Sequence, residues 1–251
     1  MKKKFSLTLI SILSVVVLVG VGFAAWIITT PNVKEQQTGT ITASGVTDAR
    51  YKLTAAITNE SIVFGKPSGY DYNSADNSDW FKPGSDVGDE KLTATLTLTL
   101  TDPDGNAWDD ETVFNNHLPD TFTFTMNATK ADAVDNTGFG NEVTAGRIKY
   151  PTISYTASGE ATATTKNVTF GTAIDIAKSA FTKGTDGKYT LTITITFAWG
   201  NDGNPYTYFH GKTQTPELVT KALGYNEMKT NLEGVGYEVT IASKANVQQT
   251  V

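Results

Sequence analysis

The chain has 251 residues, 39% of them apolar and 18% charged, with a formal net charge of −6. It is long enough to bury a core as one large domain or one domain plus appendages, and too acidic to suit a nucleic-acid backbone. The absence of cysteine excludes disulfides, a thiol nucleophile, thiolate metal sites and a lipid-modified cysteine anchor.

The N-terminus opens with Lys2, Lys3 and Lys4, followed by an apolar run from Leu7 to Val21 and then Gly22-Phe23-Ala24-Ala25-Trp26. Basic, then apolar, then small residues is the layout of a secretory signal, with cleavage expected after Ala24. A second reading stays open. No charge occurs between Lys4 and Lys34, so residues 5–28 are also long enough to span a bilayer, with Trp26 at the interface. Residues 1–25 therefore read as a signal peptide or a membrane anchor. Signal peptidase is a partner during export under the first reading. Removal of residues 1–24 leaves 17 basic and 26 acidic residues, a net of −9.

Residues 26–37 are polar, carry Pro31 and read as a linker. Residues 38–251 form the expected domain. Threonine occurs 41 times in the chain, and its branched Cβ suits a pleated surface. With so little charge, this composition points to a β-rich secreted or surface protein. Residues 38–46 alternate weakly and suggest an edge strand. Residues 50–58 form a clearer one, and 61–64 extend the pairing. Residues 66–90, rich in Gly, Asp, Asn and Ser, read as a long loop. In residues 91–101, Leu92, Ala94, Leu96, Leu98 and Leu100 share one parity and five threonines the other. Side chains alternate across a strand, so this stretch has one oily and one hydroxyl face. Asp102-Pro103-Asp104-Gly105 ends it as a turn.

Residues 120–126 give another strand, 130–146 a loop, and 148–155 and 162–170 two further strands. Residues 172–181 suggest a short helix capped by Thr172. The strongest alternation is in 188–199, where Tyr189, Leu191, Ile193, Ile195, Phe197 and Trp199 oppose Thr190, Thr192, Thr194, Thr196 and Ala198. Thr215 then Pro216 opens a helix carrying Leu218, Ala222, Tyr225, Met228 and Leu232, with Gly224 as a weak point. Residues 237–241 are the last strand. The fold expected is all-β: a two-sheet antiparallel sandwich, jelly-roll-like, with a helical insertion before the last strand.

Chemical signatures are sparse. His117 and His210 are the two histidines, and neither belongs to a His-Glu-x-x-His pattern. There is no Gly-x-Ser-x-Gly elbow and no phosphate-cradling glycine loop. The chain is read as not an enzyme. Asp102, Asp104, Asn106 and Asp109 form an oxygen-rich calcium candidate, weighed against a solvated turn. Trp199, Tyr206, Tyr208 and Phe209 are weighed as a sugar platform against a plug for one end of the sandwich.

The junction Gly22-Phe-Ala-Ala-Trp26, the early strand 38–46 and the late strand closing on Thr196-Phe-Ala-Trp199 together resemble the camelysin/TasA-type exported proteins of Gram-positive bacteria, which use a specialised (SipW-like) signal peptidase. The resemblance covers the signal and the general layout. It implies a jelly roll and a secreted biofilm-matrix or surface subunit that polymerises into fibres. The implied partners are copies of itself or other matrix and surface proteins. Some members carry a metallopeptidase label, for which this chain has no zinc-ligand motif. The alternative is an extracellular module binding a glycan or calcium through its loops.

Overall fold

A strand that is oily on one face and hydroxylated on the other must hide the oily face against a second layer. The computed structural model describes residues 38–64 and 90–243, apart from positions 45, 49, 109, 132, 210, 211 and 214. It shows two facing sheets. The signal or anchor segment, the linker and the loop 66–89 lie outside the described residues. Among the described residues, no helix is long and apolar enough to cross a membrane.

The first strands are β1 (Thr38–Ser44), β2 (Val46–Asp48), β3 (Tyr51–Thr58), β4 (Ser61–Val63) and β5 (Thr93–Thr101). Then come β6 (Thr121–Lys130), β7 (Ala133–Val134), β8 (Ile148–Tyr155) and β9 (Thr164–Asn167). The last are β10 (Ile174–Ala177), β11 (Thr182–Lys183), β12 (Tyr189–Trp199) and β13 (Val235–Ser243). One sheet has the order β10-β6-β13-β1-β4, with β7 beside β6; the other has β2-β3-β5-β12-β8-β9, with β11 beside β12. From β4 onward the chain crosses between the sheets repeatedly, in the jelly-roll manner.

Strands β5 and β12 pair antiparallel in a register that puts Leu96 opposite Ile193, Leu98 opposite Leu191 and Leu100 opposite Tyr189. All six are buried. The facing sheet contributes Phe122, Phe124 and Met126 from β6 and Tyr237, Val239 and Ile241 from β13, all buried as well. Rings meet across the layers: Phe197 lies 4.6 Å from Tyr237, and Tyr51 meets Phe122 edge-on at 6.1 Å. Full burial of each such side chain contributes roughly 1.5–3 kcal/mol.

Among the described residues, four helices connect strands: α1 (Glu111–His117), α2 (Asn136–Thr144), α3 (Pro205–Phe209) and α4 (Pro216–Leu232). The expected insertion before the last strand is α4. The Thr215 hydroxyl accepts the Leu218 N–H at 3.2 Å, as a capping residue should. Ala222, Tyr225, Met228 and Leu232 are buried along its inner face. Its suspected weak point has a structural reason. A Cβ on Gly224 would stand 2.7 Å from the Arg147 guanidinium, which passes over the helix there. Arg147 Nε donates to the fully buried Glu142 of α2 at 2.5 Å, and Asn231 Nδ2 donates to the other carboxylate oxygen at 2.7 Å. This bolts α2 to α4. Gly200 is tied to the same place: its N–H bonds the Arg147 carbonyl at 2.8 Å, and a Cβ would collide with the Gly146 carbonyl.

Several expectations are corrected. Residues 172–181 are not a helix. Ile174 and Ile176 stand opposite Phe124 and Phe122 as β10, followed by a single 3-10 turn at Lys178–Ala180. The loop expected at 130–146 holds β7 and α2; α2 buries Phe139 and Glu142 despite two internal glycines. Residues 61–64 do not extend the 50–58 pairing, because β4 belongs to the other sheet. Strand β1 is not an edge: β13 flanks it on one side and β4 on the other. The acidic stretch after residue 110 forms α1, capped by Asp110, whose carboxylate accepts the Thr112 N–H at 2.7 Å.

Leu96→Ala is expected to lower the unfolding free energy by about 2–5 kcal/mol. Thr97→Ala, one residue on and facing out, is expected to cost under about 1 kcal/mol. Urea denaturation of the two variants checks which face carries the core.

Candidate functional site: the N-terminal seam

Residues 38–44 and 46–48 run extended along one side of the sandwich. The first half of β1 pairs antiparallel with β4, placing Thr38, Gly39 and Thr40 opposite Val63, Ile62 and Ser61. The second half pairs parallel with β13, placing Ile41, Thr42, Ala43 and Ser44 opposite Tyr237, Glu238, Val239 and Thr240. The other described strand pairs are antiparallel. One residue later the chain is in the opposite sheet, where β2 pairs with β3 as Val46–Leu53, Thr47–Lys52 and Asp48–Tyr51. This one stretch therefore links both sheets along their shared margin.

Parallel pairing requires a long crossover between the two strands. Here the intervening chain is nearly the whole domain, so local sequence does not hold β1 beside β13. Its anchor is Ile41, which is 1% exposed and whose N–H donates to the Glu60 carbonyl at 2.8 Å. Ala43 packs on the core edge. The floor beneath is apolar: Tyr237 is ringed by Phe197, Phe139 and Phe170 at 4.6, 5.9 and 6.0 Å. Burial pushes the Tyr237 phenol well above its ordinary pKa. On the outer side β4 is fixed by Phe64, which meets Trp199 at 5.1 Å and Phe197 at 6.1 Å. Reciprocal backbone bonds between Val63 and Lys91, at 2.8 and 2.9 Å, tie β4 to the other sheet. The result is a slot with a rigid wall on each side and a strand lying in it.

The calcium candidate has a different geometry. Asp102 accepts the Asn106 N–H on Oδ1 at 2.6 Å, and its own N–H bonds the Asn106 carbonyl at 3.1 Å. Its carboxylate thus closes its own turn. Asp104 and Asn106 are exposed, and Asp109 lies outside the described residues. Among the described residues, no group of three or more His, Asp or Glu side chains is placed to hold a metal ion.

The aromatic group is divided. Trp199 and Phe209 are buried, the latter against Tyr225 at 6.0 Å. Tyr208 lies at the surface with Lys212 3.3 Å and Lys221 4.7 Å above its ring. Trp199 Nε1 donates to Glu90 at 2.9 Å. Burial raises the Tyr225 pKa to about 12. Trp199, Phe209 and Tyr225 plug this end of the sandwich. His117 closes α1, and His210 lies outside the described residues.

No protein-family model matches the chain, and neither the curated proteins nor the solved structures contain a match.

Sequence reasoning found the strand 38–46 but missed its slot. The β13 partners lie about two hundred positions away along the chain and the β4 partners about twenty, and local alternation carries no information about either pairing.

Ile41→Ala is expected to loosen β1 while leaving the rest of the sandwich closed. Hydrogen exchange should quicken at the amides of 41–44 and 237–240, with those of 189–199 still protected. Equal loss of protection at both places would show that β1 is not a separable element.

Proposed function

We propose that the protein is an exported structural subunit of the cell surface or extracellular matrix, and that its copies join by exchanging the N-terminal strand. The observation carrying this reading is the position of β1. It lies in the sheet between β4, which is near it in the chain, and β13, which is at the far end of the domain, and it is seated through one large side chain, Ile41. The same strand from a neighbouring copy would make the same backbone bonds and bury the same Ile41. Exchange then conserves contacts, and concentration and hinge geometry decide between the two arrangements.

The donated strand and the receiving slot are different surfaces. Such a contact is head-to-tail and propagates as a fibre unless the rotation closes a ring. The basic start and apolar run of residues 1–25 support export, and the resemblance to camelysin/TasA-type proteins supports a matrix role. Copies of the chain and other matrix proteins are the partners. A retained residue 5–28 segment would tether the first subunit to the membrane.

The cysteine-free background allows a direct test. Thr42→Cys with Glu238→Cys places two thiols opposite one another in the β1–β13 register. Oxidation of assembled material is expected to give a ladder of covalent oligomers, and oxidation at high dilution a cross-linked monomer. Fibres whose cross-links all lie within one chain would overturn strand exchange.

A further inference from the structure

On the outer face of the second sheet, the ladder beside β12 is interrupted. Strand β8 pairs with β12 no further than Ser154 opposite Thr194, and β11 takes over at Thr182 opposite Thr190. Among the described residues, Thr192, between them, has no strand residue opposite on that side. The Phe197 N–H bonds the Leu92 carbonyl at 2.7 Å, which sets the backbone groups of odd-numbered β12 residues toward β5. Alternation then turns the N–H and C=O of Thr192 toward the gap. A groove of about 370 Å³ lies there. Six hydroxyl-bearing residues, Ser154, Thr156, Thr182, Thr190, Thr192 and Thr194, line it, with Tyr155 and Leu191 completing the wall.

We infer that this groove is a binding site for a neutral oligosaccharide. Three observations choose that class. Among the described residues, no carboxylate, ammonium, guanidinium or imidazole lines the groove, so a charged ligand would find no counter-charge. Each threonine or serine hydroxyl both donates and accepts, and the open Thr192 peptide adds one donor and one acceptor, which matches the paired character of sugar hydroxyls. An extended peptide fits less well, because strand addition draws its affinity from a run of open backbone groups and only one residue is open here. The volume lies within the range of small-ligand sites. The site is on the opposite sheet from the β1 slot, so it is independent of strand exchange.

Calorimetric titration of the full chain with maltotriose, cellotriose and chitotriose, with trigalacturonate as the charged comparison, tests the site. Saturable binding of at least one neutral trisaccharide is expected. Thr192→Trp, which fills the groove, is expected to weaken it by at least about tenfold. Thr182→Trp, in the exposed β11, serves the same purpose should the first variant unfold. Thr97→Val, opposite Thr192 in register but outside the groove, is expected to leave affinity within about twofold. The inference is overturned if no neutral trisaccharide binds, if binding survives the filled groove, or if trigalacturonate or a peptide of residues 38–48 binds there in preference.

Discussion

The constraint on which everything else rests is the two-residue repeat of the strands. In β5 and β12 it sends every leucine, isoleucine and aromatic ring inward and the threonines outward, except Thr101 at the end of β5, which is buried. Without cysteines the domain has no covalent staple, so the apolar seam between the sheets must hold it. The register reinforces this. Apolar opposes apolar on the inner face, as Leu96 with Ile193 and Leu98 with Leu191, and threonine opposes threonine on the outer one, Thr97 with Thr192 and Thr95 with Thr194. A slip by one residue would expose a whole oily row, so the pairing has no competitive alternative. The hydroxyl rows keep the outer face wet without charge, which is how a chain with so few ionisable groups presents a large polar surface.

The helices serve this sandwich instead of forming a core of their own. Phe114 of α1 stacks on Tyr189 at 3.5 Å and covers one end of β12. At the other end the Glu142–Arg147–Asn231 network joins α2 to α4. A buried carboxylate is costly unless paired and hydrogen-bonded, and here both of its oxygens are engaged. The glycines at 200 and 224 are the steric condition for that arrangement, since Arg147 and its neighbours occupy the space a side chain would need.

Strong alternation was legible at once. Residues 148–155 form the strand expected for them, and 188–199 and the Thr215-Pro216 helix start differ by no more than a residue. What failed was any element whose identity depends on a distant partner. Residues 172–181 carry Ile174, Ile176 and Phe181 after a threonine, which suits a capped helix until Phe122 and Phe124 are placed opposite. The helix α2 was hidden by Gly138 and Gly140, whose helix-weakening effect is offset by burial of Phe139. Strand β1 was seen, but its neighbours were not. The groove beside Thr192 was invisible for the same reason, because it is defined by where β8 stops and β11 begins.

Edge lengths bear on how copies of the chain would meet. The outermost strands are short: β4 and β2 have three residues each, β9 and β10 four. Short edges are a known protection against indiscriminate sheet-to-sheet pairing, because each offers few backbone bonds. Departure of β1 would change that balance by uncovering β13, which is nine residues long and backed by the aromatic cluster around Tyr237. An incoming strand would need to run parallel to β13 and antiparallel to β4 at once, and to carry an apolar residue where Ile41 sits. Few sequences meet those conditions, but the segment that normally fills the slot meets them all. Under the proposed strand exchange, adhesion at the ordinary edges would thus be weak and unselective, whereas pairing at the slot would be strong and would select for the chain's own N-terminal strand.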